Sequence, residues 1–160
     1  MMERQNIGIA DMKLARGQGT LVTYALGTCI GICLWDPLLK IGALVHIMLP
    51  INMETNRTSP FKYADTGIRL TISKMEFMGA KRTRIIAKIA GGAKMFNVPA
   101  NSNLGNIGQR NIESVHQVLR QEGIRLLKED VGGSAARTLF FDVATGEGTV
   151  KIYGNVERKL

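Results

Sequence analysis

The residues best suited to chemistry in this 160-residue chain are two cysteines and two histidines. Cys29 follows the dipeptide Gly27-Thr28 between two apolar, β-rich runs, in a corner that can present a thiol at the rim of a sheet. Cys33 lies inside the second apolar run, where a buried and inert thiol is the usual state. Spacing alone leaves Cys29 open to two interpretations, a core thiol or a nucleophile.

His46 interrupts a third apolar run. A buried polar side chain without a partner costs roughly 1–3 kcal/mol, so His46 is either a hydrogen-bonded core histidine or an imidazole that takes the proton of Cys29 from a neighbouring strand. Thr23, on the strand before Cys29, could supply a hydroxyl that orients the ring, as the third group does in other thiol acyl-transfer sites. His116 lies in a helical pattern and is expected to border a packing face.

The cysteine count restricts the redox and metal chemistry. Two cysteines are too few for a disulfide framework or a zinc site, and four residues along a strand span about 13 Å, too far for Cys29 and Cys33 to form a bridge. Neither a secretory signal nor an apolar run long enough to span a bilayer is visible. We therefore expect a cytoplasmic protein with reduced thiols and no membrane insertion.

The charge raises the question of a nucleic-acid partner. Lys and Arg number 21 against 13 Asp and Glu, a net charge of +8. However, the basic residues are scattered, and aromatic residues make up 6% of the chain, too few for stacking platforms. A solvated basic surface is favoured, a patch for an acidic protein partner is second, and a nucleic-acid binder rests on charge alone.

The apolar patterns predict many strands and two helices. The predicted strands are an irregular one through Ile7 and Leu14, then Leu21–Leu26, Ile30–Trp35, Ile41–Leu49, Arg84–Ala90, Ile124–Leu127, Thr138–Val143 and Thr149–Tyr153. One helix has Ser59 as its N-cap, Pro60 at its first position and Gly79 at its end; the other begins near Asn106 and ends before Gly123. Because the strands come in runs, the prediction is one α+β domain over residues 1–160.

Two glycine pairs follow predicted strands. Gly91-Gly92 and Gly132-Gly133 match neither a P-loop nor a dinucleotide-binding fingerprint, so tight turns are the favoured interpretation. Asp36-Pro37 also predicts a turn.

Several segments follow one another along the chain: Thr23-Tyr24-Ala25-Leu26-Gly27-Thr28-Cys29, Asp36-Pro37, His46-Ile47-Met48-Leu49-Pro50, Lys62-Tyr63-Ala64-Asp65, Lys88-Ile89-Ala90-Gly91-Gly92-Ala93, Asn106-Ile107-Gly108 with Arg110-Asn111, and Glu129-Asp130 with Gly132-Gly133. Together they resemble the signature of the CheD chemotaxis proteins, and the resemblance covers about residues 7 to 143.

The resemblance implies a fold and an activity. The fold would be a layered α/β/β sandwich of mixed and antiparallel strands, related to the deamidating domain of cytotoxic necrotizing factor toxins. The activity would be deamidation of glutamines on methyl-accepting chemoreceptors through a thioester, with no metal or organic cofactor. Cys29 would be the nucleophile, His46 its acid and base, and Thr23 the supporting residue. Thr28 departs from the Ser that members often carry, but it keeps the hydroxyl.

The resemblance also implies a partner. CheD proteins commonly bind CheC, a phosphatase of phosphorylated CheY. The alternative to an enzyme is therefore a binding module that regulates chemoreceptors or CheC with little catalysis.

Overall fold

Two five-stranded sheets and two α-helices make up the described part of the protein, which in a computed structural model comprises residues 4–51, 58–95, 105–153 and 155–160. The strands are β1 (Arg4–Asn6), β2 (Asp11–Arg16), β3 (Thr20–Leu26), β4 (Ile30–Asp36), β5 (Ile41–Ile47), β6 (Ile86–Gly91), β7 (Arg125–Val131), β8 (Arg137–Asp142), β9 (Gly148–Ile152) and β10 (Val156–Lys159). The helices are α1 (Ala64–Phe77) and α2 (Ile107–Gln121), and short 3-10 turns lie at Pro60–Lys62 and Arg82–Arg84.

Each sheet contains five strands, and the strands of the two sheets are interleaved along the chain. We call the sheet with the order β1-β3-β8-β9-β10 the outer sheet, and the one with the order β2-β5-β4-β6-β7 the central sheet. The pairs β1·β3 and β6·β7 are parallel, and the other pairs are antiparallel. The sheets are therefore mixed, as the resemblance implies.

The central sheet is buried on both faces, because alternate side chains on its strands pack in opposite directions. Ile30, Ile32 and Leu34 of β4 belong to the cluster shared with the helices. Cys33 and Leu44 belong to a second cluster, shared with the outer sheet. The layers are helices, central sheet and outer sheet, so the predicted α+β sandwich with two main helices is confirmed.

Each helix presents one apolar stripe to the central sheet, as recurrence every three or four residues dictates. The stripe of α1 includes Ile68, Ile72 and Met75, and that of α2 includes Val115 and Leu119. Neither helix in the described ranges has the length and apolar character needed to cross a bilayer.

The prediction of one irregular strand near the N-terminus is wrong. β1 pairs with β3 in the outer sheet, whereas β2 pairs with β5 in the central sheet. The chain crosses between the sheets after Ile7, and Ala10 adopts a left-handed φ of 60° at the crossing. The change of sheet explains the phase shift in the apolar pattern, because a different face becomes buried in each sheet.

The predicted start of the first helix is also wrong. Ser59 makes no capping hydrogen bond, and Pro60–Lys62 forms a 3-10 turn before α1 begins at Ala64. The reason is tertiary: the Ala64 N–H donates to the Leu49 carbonyl at 2.9 Å, and Tyr63 is held extended in a bridge to Leu49. This bridge fixes the chain that leaves β5.

The C-terminal half differs from the prediction mainly in extent. β7 continues to Val131, beyond the predicted end at Leu127, and β10 was not predicted. The hairpin of β8 and β9 is confirmed. Gly92 and Gly132 have φ values of 68° and 84°, which suit glycine and confirm the turn interpretation.

Candidate active site

Cys29 lies in the turn between β3 and β4, at the edge of the gap between the two sheets. A β-bulge shifts the register of β3 between Thr23 and Leu26, and Ala25 inside it has a φ of 57°. Bulges redirect a strand and its side chains. This one turns the chain out of the outer sheet through Gly27 towards the central sheet, and it leaves the Cys29 thiol half-buried at the corner.

His46 is almost completely buried, at 1% exposure, and its hydrogen bonds define its neutral form. The Thr23 hydroxyl lies 2.8 Å from the Ile7 carbonyl oxygen and 2.7 Å from His46 Nδ1. A carbonyl can only accept, so the single hydroxyl proton of Thr23 is donated to Ile7. Nδ1 must then carry its own proton and donate it to the Thr23 oxygen. The lone pair of the neutral ring therefore lies on Nε2.

The register of the central sheet places Cys29 and His46 on the same face. Gly31 of β4 pairs with His46 of β5, so their side-chain positions share a face. A Cβ atom on Gly31 would lie 3.0 Å from Leu139 and 3.3 Å from Thr23, so this face is turned towards the outer sheet. Cys29 lies two positions before Gly31, just ahead of β4, and it packs against the cluster between the two sheets, so it lies on the same side of the central sheet as His46.

Burial favours the neutral forms of both the Cys29 thiol and the His46 imidazole. It lowers the pKa of His46 to about 4 and raises the pKa of the Cys29 thiol, an effect that the Cys29 backbone N–H opposes in part. Within the described part of the chain, His46 Nε2 has no hydrogen-bond partner. The resting site therefore holds a neutral Cys29 thiol and a neutral His46 imidazole.

The corner is supported from behind by the two glycine turns. The Gly92 N–H donates to the Cys29 carbonyl at 2.9 Å, and a Cβ atom on Gly91 would overlap that same carbonyl oxygen. The buried Arg137 guanidinium donates to the carbonyls of Gly91 at 2.9 Å and Gly132 at 2.6 Å. Gly91 and Gly92 thus allow close backbone packing against Cys29, and Arg137 ties Gly91 to the second turn through Gly132.

Helix α2 contacts the corner from the other side through Asn111, whereas Ser114 of the same helix reaches only the loop beyond His46; the sequence assigned neither residue a role. Asn111 donates to the carbonyls of Thr28 and Met48, each at 2.9 Å, and Ser114 donates to the carbonyl of Pro50 at 2.8 Å. The only sequence signal was the position of Asn111 in the segment that resembles the CheD signature.

The other candidate residues lie outside this arrangement. Cys33 is buried in the inter-sheet cluster, and burial raises its pKa far above the usual value, which fits an inert thiol. His116 is half-buried on α2, with Nε2 2.8 Å from Glu129 of β7, so it borders a packing face as predicted.

Asp36 is fully buried and accepts from Arg84 and from backbone N–H groups, which gives it a structural role at the predicted turn. Among the described residues, no three His, Cys, Asp or Glu side chains cluster as metal ligands.

The comparisons with known proteins identify the family of the chain. A family model described as CheD chemotactic sensory transduction matches residues 48–152. The chain belongs to the CheD family. This match begins after His46, so it does not include Thr23, Cys29 or His46.

Relatives in the CheD family match nearly the whole chain. Proteins named probable chemoreceptor glutamine deamidase CheD are 46% identical in Syntrophomonas wolfei, over 95% of each chain, and 43% identical in Desulfitobacterium hafniense, over 97% of each chain. A third, from Desulforamulus reducens, is 45% identical over 93% of this chain and 90% of its own length. The CheD resemblance found in the sequence is confirmed.

Proposed function

We propose that the protein is a glutamine deamidase acting on chemoreceptors, with Cys29 as nucleophile, His46 as base and acid, and Thr23 as the group that orients His46. The observation that carries this proposal is the forced tautomer of His46. Thr23 gives its only proton to Ile7, which leaves Nε2 as the unprotonated nitrogen of His46. The packing of Cys29 against the inter-sheet cluster supports its pairing with this nitrogen. The names of the relatives supply the substrate class.

The first half of the reaction forms a thioester. Cys29 Sγ attacks the carbonyl carbon of the glutamine carboxamide while its proton passes to His46 Nε2, so the two neutral groups become an ion pair only as the new bond forms. The oxyanion is stabilised by backbone N–H groups at the corner, among them that of Cys29, which already lies beside its own sulfur. Nε2 returns the proton to the departing nitrogen, the carbon–nitrogen bond breaks, and ammonia leaves.

The second half hydrolyses the thioester. His46 Nε2 accepts a proton from water as the water oxygen attacks the thioester carbon. The carbon–sulfur bond then breaks, Nε2 returns its proton to the sulfur, and the side chain is released as glutamate. The site regains its starting protonation.

The Thr23 hydroxyl supports both halves. When Nε2 is protonated, Nδ1 keeps its proton and its hydrogen bond to Thr23, so the imidazolium needs no reorientation. The same bond prevents the ring from turning Nδ1 towards Cys29.

The test is mass spectrometry of a receptor cytoplasmic fragment after incubation with the protein, reading the mass increase that marks an amide converted to an acid. Cys29→Ala should abolish conversion, and Cys33→Ala is the matched control that removes the other thiol and should keep most of it. Iodoacetamide under native conditions should label Cys29 before Cys33. Full turnover by Cys29→Ala would exclude the proposed nucleophile.

Binding of CheC belongs to the same proposal and is supported by the family resemblance alone. If CheC docks over the Cys29 corner, it should slow alkylation of Cys29 and inhibit deamidation competitively. Tight binding that leaves Cys29 fully reactive would place CheC on another face. A receptor fragment that binds but is never deamidated would favour the regulatory binding module over the enzyme.

A further inference from the structure

Asn111 is a fully buried polar residue near the start of α2, on the side of the helix that faces the central sheet. Its amide nitrogen donates both protons to main-chain carbonyls, one to Thr28 and one to Met48, each at 2.9 Å. Asn111 is the fifth residue of α2, beyond the N-cap position of Asn106 at which an asparagine can cap its own helix. Here both bonds leave the helix.

The two carbonyls belong to the segments that carry the nucleophile and the base. Thr28 immediately precedes Cys29, and Met48 follows His46 by two positions. The pairing of β4 with β5 ends at Ile30 and Ile47, so beyond that point the ladder no longer fixes the spacing of the two segments. The planar amide of Asn111 holds the two segments at a fixed spacing beyond the ladder, because its two N–H bonds point in fixed directions.

The orientation of this amide is determined by its surroundings. If the side chain were flipped, its oxygen would face two carbonyl oxygens, which offer no proton. In the observed orientation both carbonyls are satisfied, and Asn111 Oδ1 is left buried with no hydrogen-bond partner among the described residues. An unsatisfied buried acceptor costs stability. The amide therefore satisfies the two carbonyls while its own oxygen is left without a hydrogen bond.

We infer that Asn111 is a positioning residue for the proposed reaction: it fixes the separation of Cys29 Sγ and His46 Nε2 by holding the Thr28 and Met48 carbonyls together. The inference rests on the proposed roles of Cys29 and His46. It assigns Asn111 no contact with substrate, so its loss should affect the proton transfer and leave substrate binding largely unchanged.

The experiment compares Asn111→Ala and Asn111→Asp with Ser114→Ala. The aspartate has the shape of asparagine but, when ionised, no proton to donate, and Ser114→Ala removes a hydrogen bond of similar length from the same helix to the same loop, beyond His46. For both Asn111 variants we expect kcat on a receptor fragment to fall by about 10- to 100-fold, with KM little changed. The second-order rate of Cys29 alkylation by iodoacetamide should change in the same variants, whereas Ser114→Ala should resemble the wild type in both measurements.

The alkylation rate separates this inference from the proposed function, because it needs no receptor. If the wild-type protein fails to deamidate, the proposed function fails, while altered alkylation in the Asn111 variants still supports the positioning role. Should either folded Asn111 variant keep the wild-type kcat and alkylation rate, the inference is overturned. It is also overturned if Ser114→Ala reproduces the losses, since any loosening of α2 would then suffice.

Discussion

At the scale of single residues, the tautomer of His46 follows from the single hydroxyl proton of Thr23, which is donated to the Ile7 carbonyl. Residue types and spacing predicted Cys29, His46 and Thr23 as candidates, because few polar groups occur in these apolar strands. The proton arrangement could not be predicted, since it depends on the Ile7 carbonyl, which the crossing between the sheets brings to Thr23. A sequence pattern carries no information about which main-chain carbonyl meets a buried hydroxyl.

The first prediction separates the base from its orienting group. His46→Asn keeps a side-chain amide that can donate to Thr23 but removes the base, so kcat should fall by about 10²–10⁴-fold. Thr23→Val preserves shape and removes only the hydroxyl, so its loss should be smaller. Steady-state rates on a receptor fragment measure both, and circular dichroism checks folding, because His46 is a buried residue whose replacement by alanine would also leave a cavity. Equal rates for His46→Asn and wild type would exclude His46 as the base.

The second prediction concerns stability in acid. Burial lowers the pKa of His46 from 6.5 to about 4, so between these values the unfolded chain binds a proton that the folded protein does not. Folding stability should therefore fall as the pH drops from 6.5 towards 4, with a contribution of about 3 kcal/mol from this group. Urea denaturation at several pH values measures the slope, and His46→Asn should flatten it.

Two carboxylates with lowered pKa values do not obscure this window. Burial raises the pKa of Asp36, but hydrogen bonds from Arg84 and from backbone N–H groups outweigh it, so the pKa is lowered from 3.8. The pKa of Asp130 is lowered from 3.8 chiefly by the hydrogen bond from Arg158, against an opposing effect of burial. Their stabilising contribution is present above 3.8 and is lost only below it. A slope between pH 6.5 and 4 that is identical in wild type and His46→Asn would contradict the assignment.

At the scale of elements, local patterns predicted most strands and both helices, and tertiary contacts decided where they differ. The start of α1 was missed because Leu49 holds Tyr63 extended. The N-terminal strand was split because its halves serve different sheets. The support of the corner by α2 was not predictable either, since the polar segment before Ile112 gave no sign of the carbonyls that Asn111 would reach.

The third prediction tests how closely α2 must approach the corner. A Cβ atom on Gly108 would lie 2.5 Å from the Ala93 carbonyl oxygen and 2.7 Å from that of Gly92. Helix propensity alone would favour Gly108→Ala by up to about 1 kcal/mol, but the contact with main-chain oxygens should reverse the sign and lower stability and kcat together. Chemical denaturation and steady-state rates measure these effects. The control is Gly8→Ala, where a Cβ atom would have nothing within 4 Å; a stabilised Gly108→Ala would show that α2 can shift freely.

At the scale of the whole molecule, the central sheet is buried between the helices and the outer sheet. The corner that carries Cys29 lies at the edge of the space between the two sheets. The loop that follows β5 and the start of α2 line a neighbouring pocket of about 330 Å³, formed by Leu49, Pro50, Ile51, Tyr63, Ile107 and Arg110. Its described lining combines apolar surface with the guanidinium of Arg110, and it lies beside the segments that Asn111 joins. Together with the net charge of +8, it suits an acidic protein partner better than a neutral one.

The last prediction is that electrostatic steering contributes to the encounter with the receptor. Steering acts over a Debye length of about 8 Å at physiological salt and weakens as salt is added, so kcat/KM on a receptor fragment should fall with ionic strength while kcat changes little. Arg110→Gln should lower kcat/KM and reduce its salt dependence, because Arg110 lines the pocket near the corner. The matched control is Lys74→Gln, which removes the same charge about 15 Å along α1 from Ala64. If kcat/KM is insensitive to salt, or if both variants lose equally, the charge near the corner does not steer the substrate.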